Sequence, residues 1–334
     1  MDYRTQAHHF LKELELQLIE VGILDEILFQ DVDHLCFRTE TESDYRRTCA
    51  DFRKFSDLLI ESIIGGRPIS TFKLKEPIAW KDQIIDIVEV PAPKLGKKVR
   101  RGFEHIEALI SESFDSFMAK HSSLKFDMRG AKKPLNPEIE LMTRVGAVKF
   151  HHIPLESVVR VEKKNRVMEV LSKQNLLSDL QDYYPIVSGS VPAGLDLETS
   201  DFDILCEVHN FEVFETHLRS LQISDLQIRR LSSHSLPAVV AQFAKDGLKF
   251  EIFAQSCLVY RQWSHRHFIS EYRMVKYLGE SFRQNVIKSK LKGLKTEEAI
   301  AEVLGLPGDP FQTLYDWSFL SVSEFRKKID RRKI

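Results

Sequence analysis

Apolar and polar positions along the 334-residue chain follow two kinds of period. Between Thr5 and Ile23 apolar residues recur every three or four positions, which predicts an amphipathic helix. The stretch DHLCFRTE then alternates as a strand does. SDYRRTCADFRKFSDLLIESI opens with a Ser-Asp cap and predicts a second helix of about 20 residues. PISTFKL and QIIDIVEV predict two strands, so the order is strand, helix, strand, strand.

The same order begins again near residue 102. FEHIEALI predicts a strand, SFDSFMAKHSSL predicts a helix, and EIELMTRV and AVKFHHI predict two further strands. His34 and His105 stand at matching positions in the opening strands of the two copies. The pattern therefore favours two copies of one small αβ module.

A charged helical stretch over residues 156–184 follows, so we expect one domain at 1–156 and a second at 157–334. The second half predicts a strand and a turn at PIVSGSVPAG, and strands at DFDILCEV, LQIRRLS, AVVAQF and LKFEIFAQ. It also predicts a helix at FEVFETHLRSL and a helical tail from about Trp263. Helices and strands mix without regular βαβ crossovers, which indicates the α+β class for both domains.

Composition narrows the class of protein. Hydrophobic residues make up 43% of the chain and charged residues 29%, which is typical of a folded globular protein. The formal charge of −1 gives no general basic field for nucleic acid, although a local patch stays open. The four cysteines form no CxxC pair, which argues against a cysteine zinc site or a disulfide framework. No stretch reaches the ~18 apolar residues of a membrane span, so we expect a cytoplasmic protein.

The segment SGSVPAGLDLETSDFDILCE, residues 188–207, holds the strongest candidate chemistry. Asp201 and Asp203 are two residues apart on a predicted strand, so both carboxylates point the same way and repel. A Mg²⁺ ion relieves this repulsion, because it prefers carboxylate, phosphate and water oxygens. Glu251, a lone charge in LKFEIF, is the candidate third carboxylate. Gly189 permits close approach of a ligand, and Ser190 offers a hydroxyl and backbone N–H groups to phosphate oxygens.

The spacing of these residues resembles the signature of the polymerase-beta-type nucleotidyltransferases. Over about residues 170–320 the chain is similar to an uncharacterised bacterial family with that minimal core. The resemblance implies transfer of a nucleotidyl group from an NTP to an unidentified acceptor. The nucleotide-binding residues that it implies are Gly189, Ser190 and Ser200. The catalytic residues, which would hold Mg²⁺ or Mn²⁺, are Asp201, Asp203 and Glu251.

Basic residues in the tail offer a further contact to a nucleotide. HRHFISEYRMVKYL places Arg266, Arg273 and Lys276 at helical intervals, where they either bind phosphates or form a solvated helix face. His267 is expected at the surface or in a cap. Both readings of the arginines stay open from the sequence.

The first half resembles the YecM family over about residues 5–160. The stretches DHLCFRTE, GGRPISTFKL, IIDIVEVPAP, GFEHIEALI and VKFHHIPLESV carry the resemblance. This family is a branch of the vicinal-oxygen-chelate fold, which includes glyoxalases and ring-cleaving dioxygenases. The resemblance implies two βαβββ modules that form a cupped sheet with metal ligands on the first and last strand of each module.

His34, Glu89 and His105 fall on three of those ligand positions, and His151 takes the fourth, where a glutamate is usual. Glu107 is a substitute ligand or base. Two histidines and a carboxylate suit Fe(II), Mn, Ni or Zn, so we expect an unidentified divalent metal.

The expected architecture is therefore a glyoxalase-like domain of paired βαβββ modules, followed by a minimal nucleotidyltransferase-like α/β domain with a helical C-terminal tail. Three functions stay open. The chain is a Mg²⁺-dependent nucleotidyltransferase fused to a metal-binding domain, or a metal-dependent isomerase, lyase or oxygenase with a regulatory second domain. The third alternative is a nucleotide-binding or interaction protein without turnover. The acceptor, the preferred base and the oligomeric state are not specified by the sequence.

Overall fold

The computed structural model describes residues 2–94, 96, 99–133, 135–168, 171, 175–232, 236–245 and 247–331. The chain forms two compact units, Met1–Val159 with Ser321–Ser323 and Arg160–Leu320 with Glu324–Ile334. Among these described residues, each unit has one β-sheet, of eight strands in the first and five in the second. Helices accompany both sheets, so the fold is mixed α+β.

The first unit contains the two repeated modules. Its strands are β1 Val32–Arg38, β2 Ser56–Ile64, β3 Arg67–Trp80, β4 Gln83–Pro91, β5 Gly102–Leu109, β6 Phe126–Asp127, β7 Glu138–Met142 and β8 Ala147–His151. Its helices are α1 Tyr3–Glu20, α2 Leu24–Phe29, α3 Glu42–Phe52 and α4 Phe114–Lys120, and α5 Leu155–Lys163 reaches the second unit. The predicted opening helix is α1, and α2 is a further short helix that follows the turn at Gly22, where φ is 73°.

The strand order β2-β3-β4-β1-β5-β8-β7-β6 shows how the modules join. In each module the opening strand pairs in parallel with the fourth strand, β1 with β4 and β5 with β8. The two opening strands then pair with each other in antiparallel fashion. Two βαβββ modules therefore meet at β1 and β5, which become the centre of the sheet.

One predicted element of this unit is wrong. The helix expected over SDYRRTCADFRKFSDLLIESI ends at Phe52, and Ser56–Ile64 is strand β2. This strand pairs with β3 through a tight connection at Gly65 and Gly66, both of which have positive φ. Residues 56–64 form a strand because they pair with β3, which follows in the sequence. The helical spacing of apolar residues in this segment gives no sign of that pairing.

The two faces of the central strands differ in chemistry because successive side chains alternate. Leu35, Ile106 and Val148 belong to the hydrophobic core. The intervening side chains form the opposite face, which we call the polar face. The polar face comprises His34, Cys36, Glu89, His105, Glu107, Lys149 and His151.

The second unit begins with short helices and then forms its sheet. Its strands are β9 Ile186–Ser188, β10 Phe202–Glu207, β11 Gln227–Leu231, β12 Ala238–Lys245 and β13 Leu248–Gln255. Its helices are α6 Asn165–Met168, α7 Leu176–Asp179, α8 Ser190–Ala193, α9 Phe211–Ser220, α10 Trp263–Lys290, α11 Thr296–Leu304 and α12 Pro310–Trp317, and α13 Val322–Asp330 closes the described chain.

The sheet of the second unit has the order β11-β12-β13-β10-β9. β10 and β13 are parallel, and the other neighbours are antiparallel. Phe202 lies opposite Phe250 and Ile204 lies opposite Ile252, and all four side chains are buried. Among the described residues, no helix combines the length and the apolar character that crossing a membrane requires.

Candidate functional site

The carboxylates predicted in the second unit lie around β10. Asp203 is directly opposite Glu251 on the parallel neighbour β13 and opposite Ser188 on β9. Asp201 lies two residues earlier, just before the strand begins. Glu251 is held by Gln242 of β12, whose Nε2 donates to Glu251 Oε2 at 2.7 Å. The register therefore brings Asp203 and Glu251 side by side, with Asp201 at the entrance of the same strand.

Gly189 lies against the Asp203 carboxylate. Its φ of +80° is rare for residues with a side chain, and a Cβ built there would be 1.9 Å from Asp203 Oδ2. No side chain fits at such a distance, so only glycine allows the backbone to approach the carboxylate this closely. Gly189 was predicted as a nucleotide-binding residue, and it lies beside Asp203, one of the candidate metal ligands.

The electrostatics of Asp203 reflect its neighbours. Burial, together with the charges of Glu251 and Asp201, raises the pKa of Asp203 to about 7, although Lys290 acts in the opposite direction. Lys290 donates to Leu195 O at 2.6 Å and to Thr296 Oγ1 at 2.8 Å. Glu251 and Asp201 thus repel Asp203 electrostatically, and a cation would relieve this repulsion, although the described donor groups that lie within 4.8 Å of one another do not include this trio.

Ser190 and Ser200 flank this group of carboxylates. Ser190 is the first residue of α8, directly after Gly189. Ser200 accepts a hydrogen bond from Leu197 N at 2.9 Å through its Oγ, which fixes the turn that leads into Asp201. Ser190 thus directly follows the glycine that approaches Asp203, and the hydroxyl of Ser200 has a turn-forming contact.

The tail residues lie deep in the α10 region. Arg266 and Arg273 are 4% and 1% exposed, so the solvated helix face is wrong for both. Arg266 lies over the ring of Phe319 at 4.2 Å, and Arg273 donates to Leu320 O at 2.8 Å. His267 is also buried, with Nδ1 2.7 Å from Glu297 and Nε2 2.9 Å from Phe311 O, so the expected surface position is wrong.

One acidic residue near this site has no signal in the sequence. Glu271 of α10 is 3% exposed, and its Oε2 makes no hydrogen bond to the described chain. Burial and the charge of Glu297 raise the pKa of Glu271 to about 8, while Lys290 opposes the shift. Helical spacing in this segment does not show which face of α10 is buried, so the sequence does not predict that Glu271 is a buried acid.

The polar face of the first unit is a dense cluster of titratable groups around Glu107. Its carboxylate lies 3.5 Å from His34 Nε2, 3.3 Å from His105 Nε2 and 3.7 Å from His151 Nε2. These three nitrogens are buried and make no hydrogen bond to the described residues. Lys149 Nζ also lies 2.9 Å from Glu107. Glu107, the substitute ligand in the sequence analysis, is thus the carboxylate on which the histidines converge.

Charge stabilises the cluster in this arrangement. Burial alone would lower the pKa of His34, but the carboxylates of Glu107 and Asp33 raise it to about 10. Burial would raise the pKa of Glu107, but Lys149 and His34 hold it well below its usual range. The polar face therefore carries ionised groups in a buried place, and such clusters are frequent at functional sites.

The four metal ligands predicted for this unit fall into two separate groups of donors. His34 and His151 join Asp33 in one group, and Glu89 and His105 join Cys36 in the other. The ligand atoms within each group lie within 4.8 Å of one another. The sequence analysis did not include Cys36. The available signal was its position two residues after His34, which places both on one face of β1.

In comparisons with known proteins, the two halves of the chain match different family models, and the division lies close to the boundary between the two compact units at Val159 and Arg160. Residues 2–162 match the family model described as YecM protein, and residues 169–317 match a domain of unknown function, DUF4269. Protein YecM of Escherichia coli strain K12 is 28% identical over 146 residues, covering 39% of this chain and 78% of the relative.

An uncharacterized protein of Haemophilus influenzae is 28% identical over 108 residues. The match covers 32% of this chain and 52% of that relative, so the chain spans about half of its length. One solved structure, titled Protein EC4020, is 22% identical with a TM-score of 0.36, covering 48% of this chain and 97% of that one. The Cid1 poly(U) polymerase is 14% identical with a TM-score of 0.31, covering 43% and 46%.

Structural likenesses of this size do not establish a shared fold. The sequence matches are stronger, and the two halves of the chain match different family models. The first half of the chain is therefore similar to the YecM family, and the second half is similar to a family whose description assigns no function.

Proposed function

We propose that the second unit transfers a nucleotidyl group from an NTP to an acceptor, with Mg²⁺ or Mn²⁺ as cofactor. The observation that carries this proposal is the pairing of Asp203 with Glu251 on two parallel strands, with Gly189 against the Asp203 carboxylate. Carboxylate oxygens are the ligands that a hard cation prefers, and a bound cation would offset the repulsion that Glu251 and Asp201 exert on Asp203. The acceptor is identified here only as a group that displaces pyrophosphate.

Each residue has a defined part in this proposal. Asp201, Asp203 and Glu251 would hold the cation, which supplies neutralisation of the triphosphate charge when it is bound. Gly189 leaves room for a phosphate to approach the backbone beside Asp203, and Ser190 follows it with a hydroxyl. Catalysis would come from positioning and charge rather than from a covalent enzyme intermediate.

The arginines of the tail do not enter the proposed site. Arg273 is buried with its guanidinium on Leu320 O, and Arg266 is buried against Phe319. A triphosphate would have to displace these contacts in order to reach either guanidinium. We therefore expect their substitution to lower the stability of the α10 region before it lowers the affinity for nucleotide.

The test is a transfer assay on the full chain with each of the four NTPs and Mg²⁺ or Mn²⁺, following pyrophosphate release and labelling of candidate acceptors. Asp203→Asn removes one charged ligand without changing its size, and we expect a loss of roughly a hundredfold or more. Asp182→Asn, at an exposed position of the same unit, is the matched control and should keep full activity.

Two results would contradict the proposal. An Asp203→Asn protein as active as the wild type would remove this site from the reaction. Stabilisation of the wild type by NTP with Mg²⁺, without any turnover, would instead indicate a nucleotide-binding protein, because a ligand that prefers the folded state raises the apparent stability.

A second candidate function belongs to the first unit, where the polar face would bind a divalent metal for isomerase, lyase or oxygenase chemistry. It is favoured by the three buried imidazole nitrogens around Glu107. Metal content of the purified protein tests it. The double variant His34→Ala with His105→Ala should lose the metal, whereas His9→Ala, exposed on α1, should retain it. An unchanged metal content in the double variant would exclude the polar face as the metal site.

A further inference from the structure

Three neighbouring strands place three different donor types in one row of the polar face. Cys36 of β1 lies directly opposite Glu89 of β4 in the parallel pair and directly opposite His105 of β5 in the antiparallel pair. Side chains that lie opposite each other on paired strands point to the same face of the sheet. One ligand atom of each residue lies within 4.8 Å of the others. The row is thus a feature of strand register, not of loop conformation.

We propose that Cys36, Glu89 and His105 form a metal site selective for a borderline-soft dication of the Zn²⁺ type. This inference rests on the second candidate function, the metal-binding polar face, and it names the ligands and the class of metal. A thiolate, an imidazole and a carboxylate together suit Zn²⁺, whereas Mg²⁺ and Ca²⁺ require oxygen ligands. Three protein ligands leave a fourth position for water or substrate, as in catalytic zinc sites.

The contacts of His105 support a ligand role. Its Nδ1 lies 3.1 Å from Glu104 Oε2, and Arg38 Nε in turn donates to Glu104. A carboxylate on one imidazole nitrogen fixes the ring and leaves the other nitrogen for a metal. That other nitrogen, Nε2, is buried and lies 3.3 Å from the Glu107 carboxylate, a contact that a bound metal would replace. Glu104 is therefore a positioning residue for this site.

The second group of donors, with Asp33, is less suited to a metal. Asp33 Oδ2 already accepts hydrogen bonds from Leu155 N at 2.8 Å and lies 2.8 Å from His34 Nδ1. A cation bound to this oxygen would have to break contacts that hold a fully buried carboxylate. Asp33 thus orients His34, as Glu104 orients His105, and the open donor set is the one that contains Cys36.

Cobalt titration of the full chain, after removal of metal with a chelator, tests this assignment because cobalt reports a sulfur ligand directly. The wild type should bind one Co²⁺ with a sulfur-to-cobalt charge-transfer band in the near ultraviolet and with release of the thiol proton. Cys36→Ser should lose the band and bind at least tenfold more weakly. Glu104→Gln should keep the band but weaken binding by about 10- to 100-fold. Zn²⁺ should compete with Co²⁺ for the site.

Cys49→Ser is the matched control, because Cys49 is the other buried cysteine of this unit and its thiol donates to Ser70 Oγ at 3.5 Å. This variant should retain the band. If Cys36→Ser does not fold, X-ray absorption of the zinc-loaded wild type decides the question through a single Zn–S distance of about 2.3 Å.

Two outcomes overturn the inference. Metal bound without a sulfur ligand, and lost on His34→Ala, would leave the second candidate function intact and refute the Cys36 site alone. No bound metal of any kind in the wild type would refute both. Neither result bears on nucleotidyl transfer, which is measured with Mg²⁺ in the second unit.

Discussion

At the scale of residues, strand register decides which side chains meet in both proposed sites. Asp201 and Asp203 were assigned to one face by their spacing, and Glu251 was chosen for its apolar context. The structure pairs Asp203 with Glu251 because β10 and β13 are adjacent and in register. Cys36 was not predicted as a ligand because its partners, Glu89 and His105, lie on other strands, β4 and β5, and the sequence does not show that these strands are its neighbours. Register depends on contacts between distant segments, which spacing does not encode.

Gly189 provides a test of the close approach between backbone and carboxylate. Gly189→Ala should abolish nucleotide-dependent stabilisation, because the new Cβ would meet Asp203 Oδ2 at 1.9 Å. Gly308→Ala is the matched control, since Gly308 has the same φ of +80° but no atom within 4 Å of the added Cβ. Both variants place a side chain at a positive φ, which costs ~1–3 kcal/mol, so a difference beyond this range reflects the clash at Gly189.

The measurement is the free energy of unfolding by denaturant, together with the shift of the melting temperature on adding NTP and Mg²⁺. Gly189→Ala should be the less stable protein and should show no shift, whereas Gly308→Ala should keep the shift. Equal stability of the two variants, with the nucleotide response preserved in both, would show that the approach of Gly189 to Asp203 is not required.

Glu271 makes the stability of the second unit depend on pH. The charged groups that face it are Glu297, Lys290 and Asp203. Burial and Glu297 raise the pKa of Glu271 from 4.5 to about 8. Between these values the folded chain retains a proton that the unfolded chain has released, so stability falls as pH rises through this window. Below pH 4.5 Glu271 is protonated in both the folded and the unfolded chain, so it does not contribute to the pH dependence of the free energy of unfolding.

Glu271→Gln keeps the shape of the protonated side chain and cannot ionise. We expect its melting temperature to equal that of the wild type near pH 4.5 and to exceed it by ~5 °C near pH 8.5. Glu212→Gln, at an exposed position of α9, should follow the wild type at every pH. Parallel curves for wild type and Glu271→Gln would show that folding does not raise the pKa of Glu271.

At the scale of elements, the sequence predicts those helices and strands in which a single hydrophobic period, of two residues or of three to four, continues from one end to the other. The opening strand of each module and the helix α9 were located within a few residues, because alternation or helical spacing is uninterrupted there. The helix predicted after Phe52 is wrong, because a stretch rich in Leu and Ile is compatible with a helix or a strand. Its partner, β3, lies just beyond a turn of two glycines, and the hairpin takes precedence over the apparent helical spacing.

At the scale of the whole molecule, two sheets with separate chemistries lie on one chain. The ligands proposed for the hard cation all belong to the five-stranded sheet or to the loop before it. The ligands proposed for the softer cation all belong to the eight-stranded sheet. The two families matched by the chain divide at residues 162 and 169, between these sheets. Each proposed site therefore takes its residues from one compact unit.

This separation predicts that the two sites act independently, because substitutions without shared partners have additive effects. Asp203→Asn should abolish nucleotidyl transfer and leave the cobalt charge-transfer band unchanged. Cys36→Ser should abolish the band and leave the rate of transfer unchanged, and the double variant should lose both. The full chain of each variant is assayed for pyrophosphate release and titrated with Co²⁺ in parallel. A Cys36→Ser protein that folds as the wild type does but transfers nucleotides more slowly would show that metal in the first unit regulates the second, and the two sites would then form one coupled system.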